Sequence, residues 1–330
     1  MYDIFEPHQH TIKQPISCCG IGLHSGRAAN LTIKPAPVDS GIRFFRTDLG
    51  DNISVKAHMD KVIDTRLATT IGDNGVVVAT TEHLLAALRS GDIDNVDIDI
   101  DSSEVPIMDG SAEPFIKLLK RAGKTRQDGL RKLLRITKPI TYSDRDSTIG
   151  VMPYNGFRVT GQISFDDDVI KTQTYTIDFN PERFCREIAR ARTFGYVEQV
   201  EELWANGLAL GGTLENVIAI HWNRTSVLNE DGLRYQDEFI RHKVLDLVGD
   251  LTLLGCPLLG HVSSYKAGHS QHLGFMEAIA DAPDCWELIE LGKNGSHAVI
   301  DQKTAGVHAP DALVMPFLRS RHGGALPAAC

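Results

Sequence analysis

In the first 130 residues, apolar positions gather in short runs bounded by Gly, Pro or Asp. "NLTIKPAP" from Asn30, "IRFFRTD" from Ile42, "GVVVATT" from Gly75 and "NVDIDID" (Asn95–Asp101) are β-branched or aromatic, which predicts strands. "TEHLLAALR" (Thr81–Arg89) has helical spacing, opens at a Thr cap and stops near Gly91; "EPFIKLLKRAG" predicts a second, shorter helix. The rest of the chain repeats this order. "LLRITKPITYS", "STIGVMPY" and "FRVTGQISF" read as strands, followed by helices over Pro181–Ala191 and Val197–Asn206. A helix "DEFIRHKVLDLVGDL" (Asp237–Leu251), a strand "PLLGHVSSYKAG" and a helix "QHLGFMEAIAD" then close the second half as helix, strand and helix close the first. Two related α+β layers, each a sheet packed against helices, are the architecture this pattern predicts. "KTRQDGL" (Lys124–Leu130) is charged and apolar-poor, so the domains are expected at 1–127 and 128–330, with 317–330 a flexible tail.

The long helix raises a chemical question. Phe239, Ile240, Val244, Leu247, Val248 and Leu251 form its apolar face, while His242, Asp246 and Asp250 recur every four residues within a sector of roughly 80° on the other side. A solvated polar face and a metal site both fit this spacing, since His and Asp one turn apart can point at one ion. The helix alone leaves both open.

Length and composition narrow the class. At 330 residues the chain is too long for one ordinary core, in line with two domains. No apolar run approaches the ~20 residues of a membrane helix, so no stable membrane insertion is expected. The first residues, with Tyr2, Ile4 and Phe5 among polar ones, read as a short arm and not as a secretory signal. Six scattered cysteines without a C-x-x-C pair suit reduced thiols and a cytoplasmic address. A net charge of −9 without a Lys/Arg block argues against nucleic acid as a partner, while a single anionic ligand held by individual cations stays open.

Several segments carry candidate chemistry. "TTEHLLAAL" places Glu82 and His83 side by side at a helix start, where an acid also suits the helix dipole. His83, His242 and Asp246 would make three protein ligands with a fourth position for water, the usual catalytic zinc arrangement. "KAGHSQH" sets His269 between a strand and a helix, and "RARTFG" offers the Thr193 hydroxyl. "GIGLHSG" and "PIMDGSAEP" are tight Gly-containing turns. No H-E-x-x-H, G-x-S-x-G, Walker A or strand-linked G-x-G-x-x-G is present, which weakens metalloprotease, serine-hydrolase, kinase and dehydrogenase readings.

Together "GIGLHSG", "TTEHLLAAL", "VPIMDGSA", "RARTFG", "NEDGLRYQDEFIRHKVLDLVGDL" and "KAGH" resemble the UDP-3-O-acyl-N-acetylglucosamine deacetylases, zinc enzymes of lipid A synthesis in Gram-negative bacteria. The likeness runs in order from about Ile12 to Asp281. It implies two similar α+β domains with the active site in the cleft between them. The reaction it implies is hydrolysis of an N-acetyl group on a UDP-sugar that bears one ester-linked acyl chain. By resemblance, His83, His242 and Asp246 hold one Zn²⁺, with Fe²⁺ as the alternative occupant in cells. Glu82 matches the general base and His269 the histidine that assists the leaving amine; Asp250 orients that histidine and Thr193 helps hold the oxyanion. Lys243 and Lys266 match residues that meet the sugar and phosphate region, and Phe194 an aromatic of the sugar pocket. Leu214 stands where a phenylalanine often lines the acyl passage, and Ala68 where some members carry a cysteine near the metal. The chain is expected to act as a monomer. A zinc amidase for another acylated amine, or a sugar-nucleotide-binding protein without the metal, would be the rivals; the intact set Glu82, His83, His242, Asp246 and His269 speaks against the second.

Overall fold

The computed structural model describes residues 6–292 and 297–300. Six α-helices lie among them: α1 (Glu82–Ser90), α2 (Glu113–Ala122), α3 (Pro181–Glu187), α4 (Val200–Ala205), α5 (Glu238–Leu251) and α6 (His269–Ala280). In the first half, a five-stranded sheet runs in the order Ile16–Ile21, Ala28–Pro35, Val96–Ile100, Ile42–Arg46, Ser54–Lys56. Val96–Ile100 alternates buried and half-buried positions, as a strand with one face on helices must. A small sheet of Val62–Asp64, Thr70–Asp73 and Val76–Val78 leads into α1.

The second half is built on an eight-stranded sheet centred on Leu258–Tyr265, which pairs antiparallel with Ser147–Met152 and parallel with Phe157–Ser164. Helix α5 packs on Phe157–Ser164 and its neighbour Thr172–Asp178, and α6 on the strands Ile140–Asp144 and Ser147–Met152. The order α1, strand, α2 recurs as α5, strand, α6, the expected mixed α+β arrangement of sheets against helices.

Some elements differ from expectation. "KTRQDGL" is a strand, Lys124–Leu130, antiparallel to His8–Ile12. Backbone pairing in a two-stranded ribbon needs no apolar run, so composition does not reveal it. We propose the junction of the two domains at 127/128 within this strand. The expected helix over Pro181–Ala191 ends at Glu187, and the one over Val197–Asn206 opens with a 3-10 turn before Val200–Ala205. Thr81 does not cap α1 with its side chain; its hydroxyl donates to the Thr69 carbonyl. Residues 1–5 and the expected tail at 317–330 lie outside the described residues.

The contact that positions the site is α1 against α5. Gly249 lets them meet: a Cβ there would stand 2.1 Å from the Glu82 carbonyl oxygen. Both atoms are on or next to backbone, so neither can yield cheaply. Gly249→Ala is expected to cost roughly 1–3 kcal/mol of stability, the scale of overpacking, and to displace Glu82. A Tm equal to that of the unmodified chain with full activity would contradict this.

Candidate active site

The polar line of α5 is not solvated. His242, Asp246 and Asp250 are 2%, 2% and 1% exposed, so the helix is buried on both faces. An ionised carboxylate taken from water costs several kcal/mol unless charge and hydrogen bonds replace its hydration. The neighbours of Asp246 and Asp250 therefore reveal what the line is for.

Around Asp246, the His83 and His242 Nε2 atoms lie 3.5 and 3.3 Å from its Oδ1. His242 Nδ1 sits 3.1 Å from the Ala191 carbonyl, so it donates there and leaves the Nε2 lone pair facing Asp246. Burial pushes the His242 pKa down to about 3, keeping the ring neutral. Burial opposes ionisation of Asp246, but the polar imidazoles around it and the Lys243 ammonium favour the carboxylate and hold it well below the usual range. Its Oδ2 accepts from Lys243 Nζ at 3.0 Å, while Oδ1 is buried without any hydrogen-bond partner among the described residues. A buried, ionised oxygen without a donor, faced by the Nε2 atoms of two histidines, one of them His83 with an unpartnered Nδ1, has the donor set of a cation site. The ligand atoms lie within 4.8 Å of one another. Two imidazoles and a carboxylate suit zinc and also fit iron(II).

Asp250 organises a second cluster. Its Oδ2 accepts from His269 Nδ1 and His272 Nδ1, each at 2.7 Å, and its Oδ1 from the Thr69 hydroxyl at 2.6 Å. Burial opposes its charge, but His269 and His272 hold its pKa at about 2. In return, although burial works against the imidazolium, the Asp250 charge and hydrogen bond raise His269 to about 9. His272, also buried, is lowered by that burial and serves as a neutral donor. Glu82 Oε2 accepts the Thr69 backbone N–H at 3.1 Å, and its Oε1 faces His269 Nε2 at 4.0 Å. Burial raises the Glu82 pKa, which makes it a stronger base.

Thr193 and Phe194 reach this cluster where the loop after α3 enters the short strand Phe194–Tyr196, which pairs parallel with Ile218–Ile220. Arg192 anchors the loop to the start of α5: its guanidinium Nε and its backbone N–H each donate to Glu238 Oε1 at 3.0 Å. The Thr193 amide donates to the Gly110 carbonyl at 2.9 Å. Gly110 has φ +83° and would place a Cβ 2.0 Å from the Asn216 carbonyl oxygen, which accounts for the glycine in "PIMDGSAEP". The Phe194 ring packs edge-on against His242 and lies 5.4 Å from Lys243 Nζ.

A cavity of about 290 Å³ opens on these groups, lined by Glu82, His83, Thr193, His242, Asp246 and His269 among others. It adjoins a more apolar cavity of about 390 Å³, whose walls include Leu203, Trp204, Leu214 and Val217 and which shares Leu23, His24, Leu67, Thr193 and Phe194 with the first. A larger cavity, about 590 Å³, lies among α1, α2 and α3 but holds none of the ionisable cluster. Chemistry, not size, selects the site.

Nearly all of the residues expected from sequence come together here. Lys243 lines the cavity and Leu214 the apolar one. Lys266 lines neither; its Nζ pairs with Asp146 at 2.9 Å. Ala68 is buried. Sequence reasoning did not single out His24, Glu104, Thr69 or His272. Glu104 accepts from the His24 and Ser25 amides and the Thr80 hydroxyl, fastening the "GIGLHSG" turn so that His24 lines both cavities. The four-residue step from Asp246 to Asp250 was a usable signal for the second cluster, but nothing marked Thr69.

Among known proteins, the family model described as UDP-3-O-acyl N-acetylglycosamine deacetylase matches residues 9–281. A UDP-3-O-acyl-N-acetylglucosamine deacetylase of Syntrophotalea carbinolica is 49% identical over 290 residues, covering 88% of this chain and 93% of that protein. Proteins of the same name from Hahella chejuensis and Myxococcus xanthus are 46% and 45% identical, covering 87% and 86% of this chain and 95% and 89% of their own lengths. A match of this extent, over a chain whose two buried clusters each pair two histidines with one carboxylate, settles the family: the chain belongs to the UDP-3-O-acyl-N-acetylglucosamine deacetylases.

Proposed function

We propose that this chain hydrolyses the N-acetyl group of UDP-3-O-(3-hydroxyacyl)-N-acetylglucosamine, releasing acetate and the free amine in lipid A biosynthesis. The observation that carries the reading is the buried Glu82 carboxyl facing the buried His269 imidazole across 4.0 Å, beside the unpartnered Asp246 Oδ1. Amide hydrolysis needs those parts: a base for water, an acid for a poor leaving amine, and a positive centre for the developing oxyanion.

His83, His242 and Asp246 hold one Zn²⁺ per chain in this reading, with Fe²⁺ the alternative in cells. When bound, the ion supplies a Lewis acid that polarises the acetyl carbonyl and eases deprotonation of water. Glu82 Oε1 accepts the proton of the attacking water as the C–O bond forms. The Thr193 hydroxyl donates to the carbonyl oxygen as it gains charge. His269 passes its Nε2 proton to the amine nitrogen as the C–N bond breaks, while its Nδ1–H stays on Asp250. Lys243 keeps Asp246 ionised and, with the Phe194 face, borders the place of the sugar. Lys266 meets the diphosphate once freed from Asp146. The acyl chain occupies the apolar cavity at Leu214.

No helix among the described residues is long and apolar enough to cross a membrane. A cytoplasmic monomer that takes its lipid substrate without inserting is the state we propose. The test is acetate release from the UDP-sugar, compared with the same sugar lacking its ester-linked acyl chain. Binding energy from a remote group can serve turnover as well as affinity, so kcat/KM is expected to fall at least tenfold without the chain. Equal kcat/KM for both would contradict the role of the apolar cavity, and no acetate from either would contradict the activity.

A further inference from the structure

We infer that Thr69 is a positioning residue that ties the proton acceptor Glu82 to the proton donor His269, so that one residue sets the geometry at both ends of the proton path. The inference rests on the deacetylase reading for its consequences, though not for its geometry.

Thr69 is 2% exposed and lies just before the strand Thr70–Asp73. Each of its polar groups is engaged. Its amide donates to Glu82 Oε2 at 3.1 Å; its carbonyl accepts the Thr81 amide at 3.3 Å and the Thr81 hydroxyl at 3.2 Å. Its Oγ1 lies 2.6 Å from Asp250 Oδ1 and 3.1 Å from His269 Nδ1. Thr69 therefore links the start of α1, the end of α5 and the start of α6.

Counting hydrogens assigns the roles. An ionised carboxylate can only accept, so the single hydroxyl proton of Thr69 goes to Asp250. A lone pair of Oγ1 is then left facing His269 Nδ1, which also stands 2.7 Å from Asp250 Oδ2. A ring nitrogen with acceptors on both approaches must carry a proton. The transferable proton of the imidazolium is thereby confined to Nε2, the nitrogen that faces Glu82 Oε1 at 4.0 Å. The Thr69 amide fixes Oε2 of Glu82 and so holds Oε1 as the oxygen that faces His269. His272 shares Asp250 Oδ2 with His269 but touches neither Glu82 nor the His269 nitrogens, so it cannot replace this link.

Thr69→Val removes the hydroxyl at nearly constant volume, and Thr69→Ser retains it. The valine variant is expected to lose at least about tenfold in kcat, within the range of a positioned acid or base, with KM and metal content within about threefold of the unmodified chain. The serine variant should recover most of the rate. Combined with Asp250→Asn, Thr69→Val should add little further loss, because both act through His269. Full kcat in the valine variant, or a serine variant as slow as the valine one, would overturn the inference. Thr69→Ala read in the same assays decides the matter where valine hinders folding. Nitrogen NMR of histidine-labelled, unmodified chain is independent of turnover: Nδ1 of His269 should be protonated and hydrogen-bonded. A ring protonated only on Nε2 would overturn the inference even if acetate release succeeds. Absence of acetate release with protonated Nδ1 would instead count against the functional reading.

Discussion

Glu82→Ala is expected to keep the metal and lose about 10²–10⁴ in kcat, the contribution of a positioned general base. The carboxylate is one residue from His83 of the proposed metal set but points elsewhere: Oε2 is tied to the Thr69 amide and Oε1 faces His269. Removing it therefore leaves the three ligand atoms in place. Asp246→Ala should do the opposite, stripping the only carboxylate from the ligand set and lowering metal content along with turnover. Metal analysis beside steady-state kinetics separates the two. Near-normal kcat in Glu82→Ala would show that another group receives the proton.

His269→Ala should lose a similar 10²–10⁴ in kcat with unchanged metal content, and the histidine should govern the alkaline limb of kcat/KM. Free histidine titrates at ~6.5; Asp250 raises His269 to about 9, while a cation at His83, His242 and Asp246 opposes that rise. The group is active when protonated, so the rate falls as pH increases through its pKa, between those two values. Glu82 is active when ionised, so its deprotonation gives the acid limb; burial lifts its pKa and a cation at His83, His242 and Asp246 opposes that rise. The limbs report macroscopic values for coupled groups. Asp250→Asn removes the main stabiliser of the imidazolium and should move the alkaline limb to lower pH while reducing the rate. A pH profile unchanged in both Asp250→Asn and His269→Ala would assign that limb to another group.

The sequence disclosed much of the site because catalytic histidines and acids on helices obey the helix period. Three of the site's acidic and histidine groups are four apart on α5 and so had to share a face. Whether that face met water or another helix was not legible, because burial of α5 depends on α1, whose last residue, Ser90, lies far from Glu238 in the chain. Gly249, which permits the approach, looks like any helix glycine until its neighbour is known. Thr69 was invisible for a related reason: its contribution comes from a backbone amide and a hydroxyl in a non-periodic segment, joined to residues 13, 181 and 200 positions away. Paired ribbons such as His8–Ile12 with Lys124–Leu130 were missed because their hydrogen bonds are backbone bonds and their side chains carry no apolar period.

We propose that His83, His242 and Asp246 hold a metal ion without which Glu82 and His269 cannot hydrolyse the acetamide. The most direct measurement is acetate release by chain stripped with a strong chelator and titrated with Zn²⁺. Activity is expected to be lost on stripping and to recover until it saturates near one ion per chain. Full acetate release by rigorously metal-free chain would contradict it.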